Sequence, residues 1–185
     1  MEDIILERRS IYPPQFTGEE IPRLVIERML NAARFAPNHR LTQPWRFVVY
    51  SGSGRAQFAQ TWIAANQNHA GDSFDPVKAE TFRSKVMTCS HIITIGMKRN
   101  PIVPEFEEVC AVASAVQNMM LVAHEQGAGG YWSTGGLVFY ESLKAEFGLE
   151  QHDQLLGFLM LGMPKNIEWP PRLRHDLDHF VRWID

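Results

Sequence analysis

Apolar residues recur along the chain with two different periods, and the two periods predict alternating helices and strands. After Thr17 they return every three or four positions, which predicts an amphipathic helix carrying Ile21, Leu24, Val25, Met29 and Ala32. Thr17 and Glu20 have the spacing of a capping box, so we expect this helix to begin beside them. A shorter helix is predicted over residues 4–9.

Short apolar runs predict strands, and they lie at residues 45–50 (WRFVVY), 90–97 (SHIITIGM), 130–134 (GYWST) and 154–161 (QLLGFLML). The last run is almost wholly apolar, which is typical of a strand at the centre of a sheet. Further helices are predicted around Phe58 and Trp62 and over residues 141–147. Since strands alternate with helices, we predict one sheet covered by helices on both faces.

The longest predicted helix spans residues 104–126. It starts at Pro104 with acidic residues in its first turn, and Gly127 ends it. Its expected apolar stripe makes Cys110 a core thiol and consists of Phe106, Val109, Cys110, Ala113, Val116, Met120 and Ala123. Residues 71–76 are predicted to be a surface loop. The end of the proline-rich tail, residues 179–183, is too apolar to be left free in solvent, so we expect it to pack against another surface.

Composition narrows the class of protein. The chain has 185 residues, of which 45% are hydrophobic and 21% charged, so we predict one domain over residues 1–185. A net charge of −3 argues against binding to nucleic acid or an anionic membrane, and no stretch approaches about 18 apolar residues. Two cysteines without a CxxC motif favour a reducing, cytoplasmic location. His175 and His179 lie four apart without matching ligands, so no metal site is predicted.

Two polar segments could bind a ligand. Arg8, Arg9 and Ser10 offer two guanidinium groups and a hydroxyl, which suit a phosphate. The alternative is a solvated pair of charges. His39 belongs to a polar loop that reaches Gln43 just before the first strand, and such a loop is a reasonable ligand site. The alternative is a turn with ordinary solvent-facing groups.

A glycine-rich segment suggests a third contact. Trp132, Ser133 and Thr134 precede Gly135 and Gly136, where the missing side chains would let a flat ligand approach the backbone closely. The segment matches neither a GxGxxG fingerprint nor a Walker A loop. A plain turn after an edge strand is an equal alternative.

The order of these motifs resembles the FMN-dependent nitroreductase family over nearly the whole chain. The motifs are RRS near the start, then AARFAPNHRLTQPWRFVVY, CAVASAVQNMMLVAHEQGAGGYWSTGG and LLGFLMLGMPKN. The short length, the histidine in APNHRLTQPW and the YWSTGG segment look most like the small, single-domain bacterial members.

The resemblance implies an α+β, nitroreductase-like fold. A mixed or antiparallel central sheet would be sandwiched by helices in three layers, and two chains would form an intertwined homodimer with FMN at the interface. The implied FMN-binding residues are Arg8, Arg9, Ser10, Phe35, His39, Gln43, Trp132, Ser133, Thr134 and Gly135. The tail would cross to the partner. Whether Arg172 or Arg174 reaches the phosphate stays open.

The implied activity is that of an NAD(P)H oxidoreductase. FMN would carry the hydride chemistry, so no catalytic residue is predicted. NAD(P)H would reduce the flavin, and a nitroaromatic, quinone or related acceptor would then take the electrons in a ping-pong cycle. One alternative is a family member with another reaction, such as reductive dehalogenation or flavin cleavage. Another is a non-catalytic flavin-binding dimer.

Overall fold

The computed structural model describes residues 1–136 and 140–184. Its centre is an antiparallel sheet built from β1 (Trp45–Ser51), β2 (His91–Met97), β3 (Gly129–Ser133) and β4 (Gln154–Gly162). The strand order is β1-β2-β4-β3, so β2 and β4 lie inside and β1 and β3 form the edges. All four predicted strands are confirmed to within one residue or so at each end.

The described residues form six α-helices around this sheet: α1 (Glu2–Glu7), α2 (Arg23–Ala33), α3 (Gly54–Ala70), α4 (Pro76–Thr88), α5 (Glu105–Glu125) and α6 (Ser142–Glu146). One apolar cluster joins α2 and α5 to Ile93 and Ile95 of β2. A second cluster joins α3, α4 and α6 to Ile92 of β2 and Phe158 of β4. Because side chains alternate along a strand, the two clusters occupy opposite faces, and the predicted three-layer arrangement is confirmed.

The predicted start of α2 is wrong. The Thr17 hydroxyl accepts a hydrogen bond from the backbone N–H of Glu19 (3.1 Å) instead of capping a helix. The helix begins at Arg23, directly after Pro22. Ile21 is buried outside the helix, and its N–H donates to Ser90 Oγ (2.7 Å). The fixed φ of proline is suited to a helix start, so Pro22 rather than the Thr17–Glu20 spacing sets the boundary.

Two further differences matter for the site. Helix α1 ends at Glu7 rather than at residue 9, so Arg8 and Arg9 follow the helix. Helix α4 lies beyond the predicted loop and carries no prediction of its own. Its start is marked by Asp75, whose carboxylate accepts from the N–H groups of Val77 (2.9 Å) and Lys78 (3.1 Å).

Helix α5 lies where it is predicted, but its buried stripe is shifted. The buried side chains include Ala111, Val112, Ala115 and Met119, whereas Cys110 is exposed. The prediction of a core thiol at Cys110 is therefore wrong, because α5 turns the neighbouring arc of its surface towards α2 and the sheet. By length and composition α5 could also span a membrane, and nearly half of its most apolar window is buried inside the fold.

Candidate active site

The segment that contains Arg8, Arg9 and Ser10 lies along the outer edge of β3. Ser10 forms a parallel bridge with Gly130, and the N–H of Ile11 donates to the Gly130 carbonyl (3.1 Å). One residue further, the rings of Tyr12 and Tyr131 lie 4.5 Å apart. The fold therefore brings the predicted phosphate motif beside the predicted flat-ligand strand.

Arg8 and Arg9 meet two arginines of the tail, and we call Arg8, Arg9, Arg172 and Arg174 the arginine cluster. Arg9 Nη2 donates to the Pro170 carbonyl (3.1 Å), and its guanidinium lies over the Trp169 ring at 5.2 Å. Burial, and then Arg174, lower the pKa of Arg8. Burial and the other three arginines of the cluster lower the pKa of Arg172. Arg172 is thus close enough to be repelled by the other three positive charges.

Arg8 also has unmet hydrogen-bonding capacity. Its Nε and Nη1 atoms are buried and have no hydrogen-bond partner within the described part of the chain. The carboxylate of the preceding residue, Glu7, does not accept from these two nitrogens, and it lies 3.9 Å from His124 Nε2. A buried donor without an acceptor is costly, so a group with several oxygen acceptors and negative charge fits here. These donors fit the phosphate interpretation, which stays a prediction.

A cavity of about 470 Å³ opens where the chain continues beyond Ser10, and we call it the β3 cavity. Most of its lining is apolar or aromatic, and Lys85 and Ser133 add an ammonium and a hydroxyl. The lining residues are Tyr12, Pro13, Pro14, Phe82, Lys85, Tyr131, Ser133 and Met160. An apolar cleft with a few polar groups suits a flat aromatic ligand. The arginine cluster lies further back along the same strand.

Two of the predicted contacts, Trp132 and Ser133, lie on opposite faces of the sheet because neighbouring side chains alternate along a strand. Ser133 lines the β3 cavity, whereas Trp132 packs against the cluster formed by α2 and α5. The Trp132 indole N–H donates to the Leu156 carbonyl of β4 (3.0 Å). Thr134 and Gly135 follow β3 and are exposed, and Gly135 has a φ of +39°. Of the side chains in this segment, Ser133 is therefore the one that faces the β3 cavity.

Gly157 of β4 makes this arrangement possible. Its φ is +121°, and a Cβ there would lie 2.3 Å from the Ser133 carbonyl oxygen and 2.9 Å from the Trp132 indole nitrogen. The pairing of β2 with β4 shifts register at this level, between Ile95 and Gly96. A residue with a side chain would push β3 away, so Gly157 is needed to set Trp132 and Ser133.

Phe35, His39 and Gln43 lie elsewhere, around the start of β1. Since β2 and β4 separate β1 from β3, the two edges are about 14 Å apart across the sheet. Phe35 is largely exposed. His39 Nδ1 hydrogen-bonds to Glu107 Oε2 in the first turn of α5. Within one chain the predicted cofactor contacts therefore form two separate groups.

The loop before β1 has a strained backbone. Arg40, Leu41 and Gln43 have φ values of +51°, +54° and +45°, a region that side chains disfavour. The side chain of Asn38 accepts from the N–H of Gln43 (3.0 Å), and Arg46 Nη1 donates to the Gln43 carbonyl (3.0 Å). These bonds hold the conformation, and strain of this kind collects at ligand sites.

Several residues of the β3 cavity carried no functional prediction from their sequence pattern. Lys85 and Phe82 lie on α4, the helix that carried no prediction, and Met160 lies in the middle of β4. The Asp75-Pro76 helix start was the available signal for α4. Tyr12 lies two residues after Ser10, and the alternation of β3 would have paired Tyr131 with Ser133 on one face.

Comparison with known proteins decides the family. The model of the Nitroreductase family matches residues 5–163 of the chain. The chain belongs to the nitroreductase family. It is 33% identical over 172 residues to "Putative NAD(P)H nitroreductase YdjA" of Escherichia coli (strain K12), which covers 88% of this chain and 87% of that protein. It is 30% identical over 166 residues to "Putative NAD(P)H nitroreductase YfhC" of Bacillus subtilis (strain 168), with 89% and 84% covered.

Solved structures of other nitroreductases share the fold. The nitroreductase-like family protein from Bacillus cereus superposes with a TM-score of 0.86 at 23% identity and covers 99% of this chain and 95% of that chain. The FMN-dependent nitroreductase NfnB from Mycobacterium smegmatis, solved with NADPH, gives 0.76 at 20% identity, with 100% and 97% covered. The predicted α+β, nitroreductase-like fold is confirmed, and the homodimer stays a prediction.

Proposed function

We propose that this nitroreductase is an FMN-dependent enzyme that takes electrons from NAD(P)H and passes them to electron-poor acceptors such as nitroaromatics and quinones. The observation that carries the proposal is that Arg8 Nε and Nη1 are buried without a partner in the described chain, in the segment that leads to the aromatic-lined β3 cavity. The names of the relatives support it. So do the structures solved with FMN, from Desulfovibrio desulfuricans, and with NADPH.

The described residues fit FMN in two parts. The arginine cluster would hold the phosphate, because its guanidinium groups supply several charge-assisted hydrogen bonds and Arg8 has free donors. The β3 cavity would hold the flavin ring between its aromatic walls. When bound, FMN supplies the hydride-transfer chemistry. The ammonium of Lys85 would favour negative charge on a ligand in this cavity.

We further propose a homodimer in which a second chain completes each site. Phe35, His39 and Gln43 lie at the opposite edge of the sheet from the β3 cavity, so they would serve the cofactor of the partner chain. Large apolar side chains are exposed around the loop, the start of α5 and the tail: Phe35, Leu41, Ile102, Phe106, Leu173, Leu177, Phe180 and Trp183. Exposed apolar surface of this extent is typical of a protein contact.

The side chains of this site would bind, orient and exclude water. Donor and acceptor would approach the same face of the ring, so we propose that they bind in turn, in a ping-pong cycle. We place the protein in the cytoplasm, because Cys89 and Cys110 are both free thiols. Burial raises the pKa of Cys89 to about 12, which leaves that thiol unreactive. A single domain over residues 1–185 remains our prediction.

Anaerobic reductive titration tests the proposal. The purified protein is reconstituted with FMN, titrated with NADH and with NADPH, and then mixed with nitroaromatic and quinone acceptors. We expect FMN to bind, its visible absorption to bleach, and the acceptors to restore it.

The other outcomes separate the alternatives. A protein that takes up no FMN contradicts the proposal. FMN that binds without bleaching favours a non-catalytic flavin-binding dimer. Bleaching without turnover of these acceptors favours another reaction, such as reductive dehalogenation or flavin cleavage, and product analysis then identifies it.

A further inference from the structure

His39 and Glu107 form a hydrogen-bonded pair outside the β3 cavity. His39 Nδ1 contacts Glu107 Oε2, and both side chains are about half exposed. Glu107 is fixed in the first turn of α5. His39 is fixed by the strained loop, which Asn38 closes through the N–H of Gln43. The fold thus sets both backbone positions, and the hydrogen bond between the two side chains orients the imidazole.

The partner of Nδ1 determines what Nε2 can do. An ionised carboxylate only accepts hydrogen bonds, so the proton of the neutral imidazole lies on Nδ1. Nε2 is then the ring nitrogen that is left without this partner. The pair therefore presents Nε2 as the atom at which a proton could pass to or from a ligand.

The proposed reaction needs such a site. Reduction of a quinone consumes two electrons and two protons: one proton travels with the electron pair as hydride, and the second must come from an acid. The polar groups in the β3 cavity belong to lysine, tyrosine and serine. Among side chains, imidazole most often serves as the proton donor or acceptor in catalysis near neutral pH.

We propose that His39 of one chain is the proton donor to the acceptor bound beside the cofactor of the other chain, and that Glu107 is its positioning residue. This inference rests on the proposed function and on the proposed dimer. As hydride reaches one end of the acceptor, Nε2 of the imidazolium gives its proton to the acceptor oxygen. The imidazole is left neutral and takes a proton from water before the next turnover.

Stopped-flow reoxidation of the FMN-loaded, reduced protein tests the step. The probes are p-benzoquinone, which must take up protons, and ferricyanide, which takes single electrons and no proton. We expect His39→Gln to lower the ratio of the quinone rate to the ferricyanide rate about a hundredfold. Glu107→Ala should lower the same ratio about tenfold. The matched controls Glu105→Ala, in the same helical turn, and His152→Gln, on the surface, should leave it unchanged.

A second readout does not depend on turnover. In nitrogen-15 NMR spectra of the FMN-free protein, neutral His39 should carry its proton on Nδ1, and Glu107→Ala but not Glu105→Ala should abolish this preference. An unchanged rate ratio in FMN-loaded His39→Gln overturns the proposal, and so does a tautomer that ignores Glu107. Failure of the wild type to bind FMN or to bleach would instead overturn the proposed function.

Discussion

The two edges of the sheet differ in what they lack. At the β3 edge the backbone is paired with the segment after α1, and Trp132 is tied to β4, yet Arg8 has buried donors without acceptors in the described chain. At the loop before β1 the polar groups are satisfied locally, yet the backbone is strained and Phe35 and Leu41 are exposed. Under the proposed function, a charged ligand would occupy the β3 edge and a second chain would cover the β1 edge.

This difference explains why the predicted contacts separate within one chain. A cofactor held at the β3 edge would satisfy Arg8, and a partner chain that covers the loop would bring Phe35 and His39 to that cofactor. Each edge would then supply what the other lacks in the second subunit. Substitutions or deletions that alter one edge at a time therefore test this difference.

The largest effect is expected from Gly157→Val, which should destabilise the β3 edge. The new side chain would meet the Ser133 carbonyl in a backbone conformation that valine avoids, so unfolding free energy should fall by about 3 kcal/mol. Urea denaturation measures the free energy of unfolding. The control Gly54→Ala, where a Cβ meets nothing closer than 3.8 Å, should change stability by less than about 1 kcal/mol. Similar values for both variants would refute the role of Gly157.

Deletion of the tail from His179 onwards should weaken the proposed contact between the two chains. It removes the exposed Phe180 and Trp183, so we expect the dimer to dissociate about a hundredfold more readily and to lose FMN with it. Analytical ultracentrifugation with an absorbance scan of the flavin measures both. Truncation after Asp178 that leaves a stable dimer with full FMN would show that the tail does not hold the two chains together.

Arg8→Ala is expected to act on the cofactor rather than on the fold. Losing a charge-assisted hydrogen bond should weaken FMN binding about ten- to a hundredfold, while the FMN-free protein should be as stable as the wild type because a buried, unpartnered group is removed. Isothermal titration and thermal unfolding measure the two quantities. Arg23→Ala, which loses a surface pair with Glu27, is the control and should affect neither. Equal FMN affinity in both variants would contradict the phosphate assignment.

The smallest effect is expected at the strained loop. Leu41 is exposed with a φ of +54°, so Leu41→Gly should be more stable than Leu41→Ala by about 1 kcal/mol, since both lose the side chain but only glycine relieves the strain. Chemical denaturation of the pair measures the difference. If alanine is as stable as glycine, the loop carries no strain to relieve.

The sequence predicted the sheet well, because continuous apolar runs such as 154–161 have few alternatives to a central strand. The motifs singled out the Arg8 segment and the His39 loop as candidate ligand sites, and their roles stay predictions. The sequence missed α4 and Lys85 because that helix buries little besides Ala79 and Val86, so its periodicity is weak. Cys110 was misplaced because adjacent faces of α5 are both apolar, and only packing selects between them.

The separation of the two half-sites is likewise a property of the folded chain. Ser10 follows the first predicted helix and His39 precedes the first predicted strand. Only the folded chain brings Ser10 to β3, and only the order β1-β2-β4-β3 shows that β3 and β1 are opposite edges. Local motifs carry no information on strand order, so the expectation of a second chain came from the resemblance to the family rather than from the residues themselves.

Mixed dimers test the central claim, that each site combines the β3 edge of one chain with the β1 loop of another. One variant carries Arg8→Ala and Arg172→Ala, and the second carries Phe35→Ala and His39→Ala. Each alone should retain little FMN. When they are co-expressed in equal amounts, random pairing leaves about a quarter of the sites with four native residues, so FMN content should recover to about a quarter of wild type. Recovery to that level supports the two-chain site; an FMN content no higher than that of the separate variants would contradict it.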